Sequence, residues 1–149
     1  MNAEAQLDSF IDKYTPQIAV ATRACLAKMI GRLPGAAVLI YDNYNSLAIG
    51  FSPSEKTSEA IFSIVPYPRW ILLFFLQGAA LPDPHRLLKG TGKVVRSIRL
   101  ESAEDLDQPA ILELMAVALQ RAKKPIDAKA QGKLIVKSIS VKQRPRRPA

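Results

Sequence analysis

Between residues 36 and 100 the apolar residues abandon helical spacing and gather in five short runs, and this stretch decides what the chain can fold into. The runs are Ala36–Tyr41, Leu47–Ser52, Glu59–Val65, Trp70–Leu76 and Val94–Leu100. Each is rich in Val, Ile, Phe, Tyr or Trp and is bounded by Asn, Ser, Pro, Gly or Asp, the composition of strands closed by turns. Most gaps between them are too short for a helical crossover, so antiparallel hairpins are expected. Trp70–Leu76 shows no polar alternation, which predicts a central strand buried on both faces.

Helical spacing returns on either side. Leu7, Phe10, Ile11 and Tyr14 form one stripe over Ala3–Tyr14, with Asn2 placed to cap it and Glu4 at the positive end of its dipole. A second helix is expected over Pro16–Leu33, capped by Thr15, with Ile18, Ala21, Cys25, Met29 and Leu33 on one face. Gly31, Pro34 and Gly35 close it. A third is expected to be capped by Asp107, with Pro109 in its first turn, an apolar face of Ile111, Leu114, Met115, Ala118 and Ala122, and a stop at Pro125. Lys133–Val141 reads as a further strand.

Helices grouped at both ends of a strand run predict an α+β fold. The expected form is a two-layer sandwich, three helices on an antiparallel sheet of five to six strands. At 149 residues one core suffices. The domain is read as residues 1–124, followed by a basic tail, 125–149, with an edge strand at 133–141. Residues 143–149 read as too charged and proline-rich to pack.

The net charge of +8 is unevenly placed: ten of the 21 lysines and arginines lie in the last 29 residues against one acid, Asp127, which leaves the first 120 residues at −1. The basic character therefore belongs to the tail. One cysteine, Cys25, forms no internal disulfide and no cysteine-based metal site. The N-terminus lacks a basic segment followed by an apolar one, and the longest apolar run falls well short of the ~20 residues of a bilayer-spanning helix. A cytoplasmic protein without a membrane partner is expected.

The stretch Leu81-Pro82-Asp83-Pro84, Leu87-Leu88-Lys89-Gly90-Thr91-Gly92-Lys93, then Arg96, Ile98 and Leu100, resembles the YdhG-like family, a bacterial domain of unknown function. Phe74, Gln77, Gly78 and Ala79 before it, and Ser102, Asp105 and Leu106 after it, are similar to the same family. So is the order of elements over residues 5–122. The tail from Lys137 to Pro148 is similar to one found on a subset of these proteins. The resemblance implies a frataxin-like sandwich and, for some members, iron delivery. The family's Tyr-X-X-Pro turn is replaced here by Tyr41-Asp42-Asn43-Tyr44-Asn45.

Three candidate sites follow. Lys89, Gly90, Gly92, Lys93 and Arg96 combine backbone amides freed by glycine with three cations, a set suited to an anionic small ligand. It is no Walker loop, since Leu87 and Val94 stand where that loop needs Gly and Ser or Thr. Its ordinary reading is a turn feeding a strand, with Arg96 held by a carboxylate or carbonyl. Glu4, Asp8 and Asp12 form one acidic stripe that would hold iron in a frataxin-like carrier; its ordinary reading is a solvated helix face. Lys142, Arg144, Arg146 and Arg147 form an arm for nucleic-acid phosphates or an acidic protein; its ordinary reading is a solubilising tail. No cofactor is expected outside the iron alternative.

No catalytic residue is assigned. The only histidine, His85, sits in an Asp-Pro-His turn, Cys25 lies on an apolar stripe, and no nucleophile elbow, metalloprotease or dinucleotide motif occurs. A binding or carrier domain is expected rather than an enzyme. Tyr41, Tyr44, Phe51, Tyr67 and Trp70 read as core aromatics unless they gather around a cavity.

Overall fold

The computed structural model describes residues 1–149. Two helices, α1 (Ala3–Ile11) and α2 (Pro16–Arg32), precede five strands. These are β1 (Ala37–Asp42), β2 (Leu47–Ser52), β3 (Phe62–Pro66), β4 (Ile71–Phe75) and β5 (Arg96–Leu100). Helix α3 (Pro109–Arg121) and strand β6 (Leu134–Ile139) complete the chain. The architecture is α+β, three helices on one six-stranded sheet of order β5-β4-β3-β2-β1-β6.

The sheet is mixed, not antiparallel throughout. β1 to β5 form antiparallel neighbours, but β6 runs parallel to β1, Val38 opposite Leu134 and Asp42 opposite Ile139. A parallel neighbour needs a crossover of a dozen residues or more. Helix α3 and the connection 122–133 supply it, returning the chain to the start of β1 before β6 begins.

The local capping chemistry explains the first two helices. Asn2 Oδ1 accepts from the Ala5 amide at 2.8 Å and Thr15 Oγ1 from the Ile18 amide at 3.3 Å. Asp107 does not cap α3. It lies in a 3-10 turn, Ala103–Asp107, and its carboxylate instead bridges Lys28, at 2.8 Å, and Arg32 of α2. Gln108 takes the cap position without a side-chain bond, and Pro109 opens the helix.

One apolar cluster joins the helices to one face of the sheet. It runs through Leu7, Cys25 and Met29, through Ile40, Ile49, Ile64 and Leu73, and on to Leu114 and Met115. Phe62 and Phe75 meet edge to face at 5.4 Å in its middle. β4 is not buried on both faces as its composition suggested. Ile71, Leu73 and Phe75 are buried but Leu72 and Phe74 only half so, because β4 lies one place from the edge of the sheet. Trp70 falls outside the strand, in the β3–β4 turn, and is 39% exposed.

The connection into β6 passes tightly over the end of α2. Gly35 has φ +86°, and a Cβ there would fall 1.8 Å from the Asp127 carbonyl oxygen. Only glycine fits both the backbone and the space. Gly35→Ala should lower the urea-unfolding free energy by about 1–3 kcal/mol. Gly92→Ala, where nothing lies within 4 Å, should change it by less than about 0.5 kcal/mol. Equal effects would contradict this placement of the connection.

Candidate functional site

Asp42 is the last residue of β1, and strand alternation puts its side chain on the helix-covered face with Val38 and Ile40. It has no solvent exposure. A carboxylate there requires partners. Lys13 Nζ donates to Oδ2 at 2.7 Å, and the Arg146 guanidinium donates to Oδ1 at 3.0 Å. Arg146 is itself only 5% exposed and also donates to the Asn43 carbonyl at 2.5 Å and the Tyr44 carbonyl at 3.3 Å. Burial pushes the Asp42 carboxyl up, but hydrogen bonding from Lys13, Gln143 and Arg146 outweighs it and holds the group below the ordinary carboxylate range.

The C-terminal residues, expected to stay unpacked, therefore pack. The Ser140 amide donates to the Asp42 carbonyl and the Arg144 amide to the Tyr44 carbonyl, each at 2.8 Å. Lys13 Nζ reaches Gln143 Oε1 at 3.0 Å, and Arg147 Nε reaches the Lys13 carbonyl at 3.2 Å. The basic segment docks because a buried acid and the free carbonyls of the β1–β2 turn outcompete water for its guanidinium groups.

This docking collects charge at one end of the sheet. Register places Leu100 opposite Ile71, Ile71 opposite Pro66, and Asp42 opposite both Leu47 and Ile139. The β1–β2 turn, the β3–β4 turn and the ends of β5 and β6 consequently share that end, a row spanning five strand spacings, roughly 24 Å. Beyond the two cations on Asp42 it carries Arg69, Arg99, Lys142, Arg144 and Arg147, all exposed. Exposed aromatic rings alternate with them. The Arg144 guanidinium lies 5.6 Å from the Tyr44 ring, and the Arg99 guanidinium 5.1 Å from the Trp70 ring. Tyr67 sits 6.2 Å from Trp70. Among the acids here, Asp42 is neutralised, Glu101 stands 3.5 Å from Arg99, and Asp105 accepts the Glu101 amide at 2.7 Å.

The loop Lys89–Arg96 lies at the opposite end of β5. Lys89 pairs through its backbone with Ser97. The Arg96 guanidinium donates to the Gly92 carbonyl at 2.6 Å and the Val95 carbonyl at 2.8 Å, so it clamps its own loop. Gly90 has φ +129°, and the amides from Gly90 to Val95 donate to no protein acceptor. Lys93 is exposed and makes no ion pair. On α1, Asp8 and Asp12 both close on Arg23 at 2.7 Å, while Glu4 stays outside that pair. No three His, Cys, Asp or Glu side chains gather around one point.

Cys25 is fully buried, and burial, with the charges of Asp105 and Glu104, pushes its thiol up to about 11. His85 is exposed on its turn, at the rim of a cavity of 310 Å³ that the turn forms with Leu114 and Glu113 of α3. Asp83 holds this turn by accepting the Leu87 and Leu88 amides, each at 2.9 Å. Of the aromatics, Phe51 is core, Tyr41 bonds Thr57, and Tyr44, Tyr67 and Trp70 emerge at the basic end. Asp42 was missed as a site residue, although its parity with Val38 and Ile40 marks it as an acid aimed inward. No family model matches the chain, nor does any curated protein or solved structure.

Asp42→Ala leaves Arg146 buried without its counter-ion and should cost about 3–5 kcal/mol in urea unfolding. The pH dependence has a definite sign. A carboxyl held low in the folded state contributes fully above its unfolded value, about 3.9, and that contribution is lost as pH falls through the lower folded value. Wild-type stability should therefore drop across this acid window, and Asp42→Asn should flatten the drop. An unchanged acid limb would contradict the assignment.

Proposed function

We propose that this chain is a non-enzymatic binding domain that takes nucleic-acid phosphates across the end of the sheet where its C-terminal segment is docked. One observation carries the reading. Burial of Arg146 on Asp42 turns the basic segment into a fixed part of the domain, so that Lys142, Arg144 and Arg147 stand in one row with Arg69 and Arg99. Cations alternating with exposed rings, with Asp42 neutralised and Glu101 beside Arg99, suit a phosphate backbone. Arg146 itself is committed to Asp42 and serves the site by placing its neighbours.

The resemblance to the YdhG-like family belongs to this proposal, as does a frataxin-like assignment of the fold. Helices from both ends of the chain on one face of a single sheet support it. An iron-carrying role through Glu4, Asp8 and Asp12 draws no support from the geometry, since Arg23 already occupies two of the three carboxylates.

A second reading has its own observation. The amides of Gly90–Val95 lack protein acceptors, and Lys89 and Lys93 flank them, an arrangement that suits a small anion. Arg96 would act there by holding the loop, through Gly92 and Val95, rather than by touching the ligand.

Salt dependence separates the two. Binding of an oligonucleotide should weaken linearly in log–log form as salt rises, and Lys142→Ala with Arg144→Ala should lower that slope by about 2, roughly one per phosphate contact. Lys89→Ala with Lys93→Ala should leave it unchanged. The reverse pattern, measured by fluorescence anisotropy, would move the site to the Lys89–Arg96 loop.

A further inference from the structure

The exposed rings at the basic end carry an inference that rests on the nucleic-acid reading and sharpens it. Trp70 follows the tight Pro68-Arg69 turn between β3 and β4, closed by the Tyr67 amide donating to the Trp70 carbonyl. The hydrogen bond measures 2.7 Å, so the indole is presented from a fixed backbone. Trp70 is 39% exposed, so part of the largest apolar side chain in the protein stays in contact with water. Arg99 approaches it at 5.1 Å, and Tyr67 lies beside it, tilted by 36°. Arg69, at the tip of the same turn, is exposed and makes no hydrogen bond or ion pair.

Phosphate contacts alone do not distinguish one strand from two, because both present the same charged backbone. Exposed flat rings do. A base in a duplex is stacked on its neighbours and shows no face, whereas an unpaired base offers a face to an aromatic side chain or a guanidinium plane. At the basic end the helices present the connection between α1 and α2, where Arg147 donates to the Lys13 carbonyl, and not the side of a helix that could lie in a major groove. We infer that Trp70, supported by Tyr67 and Arg99, is a base-stacking platform, and that the partner is a single-stranded nucleic acid whose phosphates follow Arg69, Arg144 and Lys142.

The sequence supplies the probe, because Trp70 is the only tryptophan. The full chain is titrated with an oligothymidylate about twelve nucleotides long and, separately, with a duplex of that length, in low salt of about 50 mM. Trp70 emission should be quenched by the single strand and not by the duplex, and the single strand should bind more tightly. By anisotropy of a labelled strand, Trp70→Ala should weaken binding roughly tenfold, the scale of one lost stack. Trp70→Phe, which keeps a ring, should retain most of the affinity. Arg99→Ala, which leaves the indole in place as a reporter, should weaken binding and reduce the quenching.

Each other result overturns something specific. Tight binding without quenching, or equal affinity for Trp70→Ala and wild type, removes the stacking platform and leaves the phosphate-binding end standing. Equal competition by polyglutamate shows a surface that reads charge alone, which also defeats the inference. No binding of either nucleic acid at low salt overturns the underlying reading as well.

Discussion

A carboxylate with no access to water organises the C-terminal third of this protein. Asp42 ends an otherwise apolar strand, on the face that the helices cover, where an unpaired charge is prohibitively costly. Lys13, just past α1, meets one carboxylate oxygen. The other is met by Arg146, and the chain that brings that residue back runs beside β1 after leaving α3. The parallel pairing of β6, the bulge between Ile40 and Tyr41, and the docking of Ser140 and Arg144 on the β1–β2 turn all accompany that return. A buried ion pair of this kind adds little net stability compared with an apolar pair of equal volume. Its effect is positional, because it fixes Arg146, and with it the C-terminal segment, against Asp42 and the β1–β2 turn.

That register has a functional consequence. A flexible basic arm can meet phosphates too, but it loses conformational freedom each time it does so. Here the segment is ordered before any partner arrives, so Lys142 and Arg144 are held at fixed spacing from Arg69 and Arg99. The aromatic residues at the same end are carried by hairpin turns rather than by the core, which leaves Tyr44 and Trp70 exposed, each with a guanidinium beside its ring. Folding and recognition are linked through one group: the contact that neutralises Asp42 also assembles the row of cations.

Much of this was legible from local pattern. The apolar stripe of α1, the Cys25, Met29 and Leu33 part of the α2 face, the caps at Asn2 and Thr15 and the bounds of β2 follow from spacing and short-range hydrogen bonding, which sequence encodes directly. The start of the α2 face is instead turned toward Ala19, Thr22 and Leu26 rather than Ile18 and Ala21. The errors share a cause, since each depended on a partner distant in sequence. Asp107 had the residue type of a cap, but Lys28 and Arg32 draw its carboxylate away. The run around Trp70 had the composition of a doubly buried strand, yet it came to lie near an edge with one face only half buried. The terminal residues had the composition of a disordered tail, and composition does not reveal a buried acid 104 residues earlier in the chain that needs one of their arginines. The turn at Lys89–Lys93 and a carbonyl partner for Arg96 were legible, while the strand begins at Arg96 rather than Val94, and that the carbonyls are those of Gly92 and Val95 follows from a loop conformation that residue types do not specify.

Amide hydrogen exchange of the isolated chain, residues 1–149, tests the docking of the C-terminal segment most directly. The Ser140 and Arg144 amides, bonded to the Asp42 and Tyr44 carbonyls, should exchange far more slowly than in an unstructured peptide, and Asp42→Ala should release both while leaving β3 and β4 protected. Free-peptide exchange at Ser140 and Arg144 in the wild type would show that residues 140–147 are an unattached arm, and the assembled row of cations would not exist.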